Sequence, residues 1–279
     1  MDISVVIPVH RGREKDLELL LSSLDRAQEN LVDSQSEVVV VDDGCESLEG
    51  LRSRYKDVCV ILNHGKGPSA ARNWGVEHAR YEVVAFTDSD CVVDPFWLRN
   101  ISSHFNTNPE NVAVQGPPWN FMGQRYTTVS KYEAGFYEAV FRLRHVVGNR
   151  AKNVDTRNFA AKRKVIRPIA SLFGDLKIAG GDDRVCGLKL REKGRIGWDE
   201  SLLVYHKDLC FRDQMRSHRR HGQGRAYWDY APDLMGVNRR ETYLEGPRRL
   251  GVPAWYAMAA NLSFLWGQCT EMVKVYLKK

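Results

Sequence analysis

The stretch VVAFTDSDC (Val83–Cys91) runs apolar to Phe86 and then sets Asp88 and Asp90 one residue apart. An uninterrupted apolar run reads as a strand covered on both faces, because a strand with one wet face alternates. Three such runs precede it: ISVVIPV (3–9), EVVVVD (37–42) and VCVILN (58–63). The segments between them have helical character. Glu14–Asn30 carries a Leu17, Leu20, Leu21, Leu24 stripe, and ESLEGLRSRY (46–55) and GPSAARNWGVEHA (67–79) follow in turn. Strands alternating with helices predict an α/β fold around a mostly parallel sheet with helices on both faces. In such sheets ligands gather beyond the carboxyl ends of the strands. Asp88 and Asp90 stand at one such end, and Asp42, Asp43 and Gly44 at another.

Composition frames the reading. With 279 residues, 43% hydrophobic and 27% charged, core size does not limit folding. The first residues, MDISVVIPVH, pass straight into a strand-like run without a basic n-region or a cleavage site, which predicts no secretion and a cytoplasmic location. Six cysteines are scattered with no CxxC pair and no zinc spacing, so reduced structural thiols are expected. The net charge of +6 is uneven: from Lys207 onward there are 13 Lys or Arg against 7 Asp or Glu. That tail suits a phosphate-bearing ligand, an anionic membrane surface or nucleic acid.

The acidic positions carry the chemistry. Residues i and i+2 of an extended chain project to one side, so Asp88 and Asp90 can converge on a hard divalent cation, Mn²⁺ or Mg²⁺, shared with substrate phosphates. The alternative is a turn after a strand, where Asp and Ser are common anyway. Asp42 and Asp43 could accept hydrogen bonds from a base N–H and a ribose hydroxyl, or merely begin an Asp-Gly turn. In GPSAARN, Arg72 offers a fork suited to a carbonyl or phosphate, unless it is a surface arginine. GGDDRVCGLKLREKG predicts a short helix with Asp182 and Asp183 in its first turn and Gly194 as its stop. One of the two acids is expected to cap that helix, and the other could take a proton from an acceptor hydroxyl. His206, after LLVY, is either structural or a metal ligand.

SVVIPVHRGREKDLELLLSSL, VVVVDDG, GPSAARNWGVEHARYEVVAFTDSDC, TRNFAAKR and GGDDRVCGLKLREKG, in that order and spacing, resemble the family 2 glycosyltransferases of the GT-A fold over roughly residues 3 to 228. The resemblance implies a nucleotide-sugar-dependent inverting transferase of the hexosyltransferase type. Its donor would be a nucleoside-diphosphate sugar, UDP being the commonest nucleotide, and its acceptor a carbohydrate or a lipid-linked molecule. It further implies that Pro8, Asp42, Asp43, Arg72 and Asp88 line the donor site and that Asp90, with Asp88 and His206, meets a divalent cation. Asp183 falls on the general-base position, with Asp182 where the family usually has Glu. VDTRNFAAKR, with Asn158, would line the acceptor pocket.

Three rivals are weighed against this. A sugar-phosphate nucleotidyltransferase would show a Gly-rich phosphate loop after the first strand, and IPVHRGRE has one glycine. A dinucleotide-dependent oxidoreductase would need G-x-G-x-x-G there. A non-catalytic sugar-nucleotide sensor or RNA-binding module is disfavoured by the retention of every acidic position, and nucleic acid is not the expected partner.

The expected organisation is a catalytic domain over 1–228, its nucleotide half over 1–95 and its acceptor half over 96–228, with a helical extension over 229–279. In that extension Gly251–Thr270 has no formal charge, yet Pro253, Asn261, Ser263, Gly267, Gln268 and Thr270 interrupt it, which argues against a membrane span. Trp255, Met258, Leu262, Leu265, Cys269, Met272 and Tyr276 recur at steps of three or four. Two readings of this stripe stand open. It packs on the domain or on a second subunit of a homo-oligomer, or it lies in the plane of a membrane's inner face with basic residues at its ends.

Overall fold

β1 (Ile3–His10) buries Ile3, Val5, Val6, Ile7 and Val9 almost completely, as an apolar run in the middle of a sheet must. The computed structural model describes residues 1–45, 48, 50–55, 57–122, 128–169, 171–174, 181–226 and 241–276. The chain continues through α1 (Glu14–Glu29), β2 (Ser36–Asp43), α2 (Leu51–Arg54), β3 (Val58–Leu62), α3 (Gly67–His78) and β4 (Val83–Phe86). These four strands pair in parallel in the order β3-β2-β1-β4, the arrangement that the alternating runs predict. α1 turns its Leu17, Leu20, Leu21 and Leu24 stripe into the core. α3 lies so close to the sheet that a methyl on Gly75 would run into the Val6 side chain and crowd that of Val41.

Beyond β4 the sheet becomes mixed. β5 (Cys91–Val93), α4 (Trp97–Thr107), β6 (Asn111–Gln115), α5 (Thr128–His145), β7 (Val146–Val147), β8 (Arg150–Ala151) and β9 (Phe159–Lys162) follow in turn. Then come α6 (Arg163–Ile166), α7 (Asp182–Lys193), β10 (Arg195–Trp198) and β11 (Val204–His206). Among the described residues the main sheet runs β3-β2-β1-β4-β9-β6-β10-β8-β7, with β9 antiparallel to both β4 and β6. A separate antiparallel pair, β5 with β11, sets His206 opposite Cys91.

Asn158, just before β9, is fully buried and spends its whole amide on the fold. Its Oδ1 accepts from Trp97 Nε1 at 2.9 Å, and its Nδ2 donates to the carbonyls of Pro117 and Leu202 at 2.9 and 2.8 Å. The expected place in an acceptor pocket is thereby corrected, because the side chain has no surface to offer and its hydrogen bonds join three segments of the core.

The described residues fall into two compact units. One comprises the described parts of Met1–Asn120, Val147–Lys177 and Asp182–Lys207; the other, those of Phe121–Val146, Ile178–Gly181 and Asp208–Lys279. The boundary expected at 228 lies outside the described residues. The second unit is helical: α5, α8 (Phe211–Ala226), a π-helical turn (Glu241–Glu245), α9 (Gly246–Arg249) and α10 (Ala254–Tyr276). Phe136, Val252, Tyr256, Ala257 and Ala260 make its core. Within it the buried Glu133 carboxylate accepts from His218 Nε2 at 2.9 Å and from the Tyr256 hydroxyl at 2.7 Å. Burial works against that charge, but His218 and the two bonds hold Glu133 below the usual carboxylate range.

α10 buries a different face from its large apolar stripe. Its inward residues include Tyr256, Ala257, Ala260 and Gly267, whereas Trp255, Met258, Leu262, Leu265, Cys269 and Met272 are exposed. Small residues face inward because α8 crosses at backbone distance. A side chain on Gly222 would strike the Phe264 carbonyl, and one on Gly267 that of Arg219.

Gly75→Ala tests the α3 contact. Alanine favours a helix by about 1 kcal/mol over glycine, so an open site would be stabilised. Against the stiff Val6 side chain, overpacking of about 1–3 kcal/mol wins, and urea unfolding should show a net loss of stability.

Candidate active site

Site residues gather at the carboxyl ends of β1, β2 and β4, where strand register ends and polar side chains follow. Pro8 is half-buried within β1, paired with Val41. Asp42 closes its own turn: Oδ1 accepts from the amides of Gly44 at 3.0 Å and Cys45 at 2.7 Å. Asp43 uses both oxygens, accepting from Asn63 Nδ2 at 2.8 Å and from the Gly67 amide, the first of α3, at 2.9 Å. The Cys45 thiol also hydrogen-bonds Asp42, so both acids of the pair are engaged by the chain itself.

Arg72 is the correction that the structure makes to the expected donor site. It does not reach outward. The residue is 3% exposed and its guanidinium lies between two carboxylates, with Nη2 2.5 Å from Asp88 Oδ1 and Nη1 2.5 Å from Asp182 Oδ2. Phe173 lies 5.8 Å from the guanidinium carbon, so the cation has an aromatic ring on one side. Burial would weaken the charge of Arg72, yet Asp88 and Asp182 hold its proton more firmly than usual. The arginine thus ties the end of β4 to the start of α7.

Asp88, although ion-paired, has its carboxyl pushed above the usual range, because burial and the neighbouring Asp90 and Asp155 outweigh Arg72. Asp90 goes the other way. Burial opposes its charge, but His206, Arg13 and Arg157 together keep it below the ordinary value. Arg13, at the entry to α1, places Nη1 3.3 Å from Asp90 Oδ2 and 2.9 Å from Asp16 Oδ2. The β5–β11 pair brings the other partner, and the Lys207 amide donates to the Asp90 carbonyl at 2.9 Å.

His206 and Asp90 are assembled in a manner suited to a cation. The Lys207 carbonyl can only accept, so His206 Nδ1, 2.7 Å away, carries the proton. In a neutral ring Nε2 is then a lone-pair donor, and it stands 3.4 Å from Asp90 Oδ1. That is long for a hydrogen bond, the reach of an ion pair when the ring is charged, and a spacing that two ligands of one cation adopt. Carboxylate oxygen and imidazole nitrogen both suit Mn²⁺. The expected trio is not preassembled: Arg72 engages Asp88, and no group of three or more His, Cys, Asp or Glu poised for a metal occurs among the described residues.

The acid pair on α7 divides. Asp182 pairs with Arg72, while Asp183 accepts at Oδ1 from the adjacent Arg184 amide at 2.7 Å. Burial, then the charges of Asp182 and Asp155, push the Asp183 carboxyl up to about 7.

Two residues of the site, inside the VDTRNFAAKR segment expected at the acceptor pocket, were given no role of their own from the sequence. Asp155 and Arg157 form a fork, with Arg157 Nε 2.9 Å from Oδ1 and Nη2 2.9 Å from Oδ2. Asp155 raises both Asp88 and Asp183, and Arg157 steadies Asp90. The x-Asp-Thr-Arg-Asn pattern held the signal, an acid two residues before an arginine in a polar break between the strands β8 and β9.

Comparison with known proteins follows this geometry. The family described as Glycosyl transferase family 2 matches residues 4–169. Glucosyl-dolichyl phosphate glucuronosyltransferase of Haloferax volcanii is 25% identical over 197 residues, 63% of this chain and 60% of that protein. The chain therefore spans less than two thirds of this relative's length. Among solved structures, S. aureus TarS in complex with UDP-GlcNAc superposes with a TM-score of 0.56 at 14% identity, covering all of this chain and 93% of that one. The mannosyltransferase PcManGT of Pyrobaculum calidifontis, in complex with GDP-Man and Mn²⁺, gives 0.55 at 17% identity over 94% of this chain and 73% of its own. At these identities the likeness shows the fold, which is GT-A.

Arg72→Met should cost about 3 kcal/mol of unfolding free energy, since it strands the buried carboxylate of Asp182 and the half-buried one of Asp88; guanidinium chloride unfolding measures it. Asp183→Asn should do the reverse. A carboxyl raised to about 7 in the fold from its ordinary 3.8 keeps its proton on folding, so stability falls as pH rises between these values. The asparagine variant should gain in Tm over the unmodified chain from about pH 4, with the gain level above about pH 7.

Proposed function

The chain belongs to glycosyl transferase family 2, and from that premise we propose that it transfers a sugar from a nucleoside-diphosphate sugar to an acceptor hydroxyl by direct displacement, with inversion at the anomeric carbon. One observation carries the reading: Asp183, next to the Arg72-bound Asp182, has a carboxyl pushed up to about 7. A group with that pKa accepts a proton at neutral pH and retains the basicity to draw it from a hydroxyl as the bond to the sugar forms. A carboxylate in its ordinary range would be ionised but a far weaker base.

In this mechanism the chain's own groups divide the work. Asp42 would meet the nucleotide, its Oδ1 being held by the turn. Asp90 and His206 would hold a divalent cation, Mn²⁺ fitting the mixed oxygen and nitrogen set, and such an ion supplies charge neutralisation to a departing diphosphate. Arg72 holds Asp88 and Asp182 in place from behind, a positioning role. Asp155 keeps Asp183 basic by its charge. The acceptor is a carbohydrate or a lipid-linked sugar. The lipid class is suggested by the dolichyl phosphate in the name of the relative from Haloferax volcanii, and UDP is the first nucleotide to test because TarS was solved with UDP-GlcNAc.

Asp183→Asn should retain metal-dependent binding of UDP-sugar, read by calorimetry, while losing transfer by about 10²–10⁴-fold, the usual worth of general-base assistance. With the unmodified chain, kcat/KM should climb through about pH 7 as Asp183 ionises. An active Asp183→Asn protein beside an inactive but folded Asp182→Asn protein would move the base by one residue. His206→Ala should raise the Mn²⁺ concentration needed for half-maximal activity without altering acceptor KM, and an unchanged titration would return His206 to a structural role.

A further inference from the structure

Arg13 stands where a helix is poorly served by an arginine. It is the N-cap residue of α1, and its side chain makes no capping hydrogen bond. Ser, Thr, Asp and Asn serve at that position, because a side-chain oxygen accepts from the first free amides of the helix. A cation there also faces the positive end of the helix dipole. Gly12, at a φ of 86°, turns the chain out of β1 just before it. The arginine reaches across to the site instead, and a residue that breaks a local rule is expected where function is at work.

One nitrogen of Arg13 serves two acids. Nη1 donates to Asp16 Oδ2 at 2.9 Å, three residues along the helix, and lies 3.3 Å from Asp90 Oδ2. The other oxygen of Asp16 accepts from Lys207 Nζ at 2.6 Å, and the Lys207 amide donates to the Asp90 carbonyl at 2.9 Å. The chain of contacts thus closes on the residue next to His206. Asp90 shows Oδ1 to His206 and Oδ2 to Arg13. The side chains of Asp16 and Asp90 are 12% and 14% exposed, so water screens these charges weakly. An ordinary i,i+3 pair on a helix surface explains the contact with Asp16 but not the one with Asp90. Arg157 also acts on Asp90 through its charge, yet two of its nitrogens are held by Asp155. Arg13 is different, since a partner already in contact can keep it if Asp90 is taken.

We propose that Arg13 is the chain's own counter-cation for Asp90, and that a divalent cation binds Asp90 and His206 by displacing Arg13 onto Asp16. The inference rests on the metal reading given above and adds the residues that set the affinity of that site. Such an exchange keeps Asp90 neutralised with or without the metal. It also holds metal affinity below what the carboxylate and imidazole would give without a competing cation.

Mn²⁺ binding to the full metal-free chain tests it, read from the loss of the free-ion electron paramagnetic resonance signal, first with Mn²⁺ alone and then with UDP added. Arg13→Gln should bind Mn²⁺ about tenfold tighter than the unmodified chain, the low end of what residues around metal ligands contribute. Arg13→Lys keeps the charge and should stay near the unmodified affinity, with the far-UV circular dichroism of both variants unchanged. Asp16→Asn should weaken binding, because Arg13 then has Asp90 as its remaining acid, and should lose most of that effect in the Arg13→Gln background. An Asp16→Asn effect undiminished without Arg13 would overturn the exchange. So would Arg13→Gln binding that is no tighter, in a protein whose unmodified form binds the ion, and the metal site would then stand without it. Absence of Mn²⁺ binding from both chains, with and without UDP, would overturn the metal reading itself and the proposal with it.

Discussion

The buried guanidinium of Arg72 is the interaction on which the site depends. Five carboxylates cluster here, Asp88, Asp90, Asp155, Asp182 and Asp183, and the charges of their neighbours help to raise the proton affinity of Asp88 and of Asp183. Burying such a group unaided would be prohibitive. Arg72 takes two of them, Arg157 takes Asp155, and Arg13 stands by Asp90. Three arginines against five acids leave the cluster short of positive charge even with Asp183 protonated, once His206 is neutral as a metal ligand must be. A site held in that state favours a further cation, which is the physical reason for proposing a divalent ion at Asp90 and His206.

The fold was largely legible in the sequence because the parallel half follows from one local signal. Each apolar run of the first 90 residues became a strand within a residue or two, and α1 and α3 fell where the Leu stripe and the Gly-Pro start put them. The mixed half was not legible to the same degree. β9 is four residues long and antiparallel on both sides, and no local pattern tells a strand which direction its neighbours run. The small residues of β9, Ala160 and Ala161, carry no alternation either.

The site was legible as a set of residues and not as a set of contacts. Asp88, Asp90, Asp182, Asp183 and His206 could be named from strand ends and motif positions, but the partner that Arg72 would choose could not. In sequence an arginine on an amphipathic helix reads as outward-facing; two acids 16 and 110 positions away turned it inward. The stripe on α10 shows the same limit. Periodicity located it and gave it one face, yet burial was decided by the backbone approach of α8 at Gly222, which only small residues permit. The helix spends Ala257, Ala260 and Gly267, with Tyr256, on packing and leaves both its tryptophans outside.

Adjacent acids at a helix start might look interchangeable, and the helix itself makes them unlike. Successive residues are about 100° apart around the axis, so one guanidinium approaching from the strand side can meet only one of them. Arg72 meets Asp182. Asp183 is then left with a backbone amide, with the negative charge of the partner that won, and with that of Asp155, and its proton affinity rises as a result. Basicity at this position is therefore produced by the pairing of its neighbour. An acid of either length could serve at 182 provided that it holds Arg72, whereas at 183 the carboxylate itself must be free, which accounts for the chain keeping its family resemblance with Asp in place of the usual Glu at the first position.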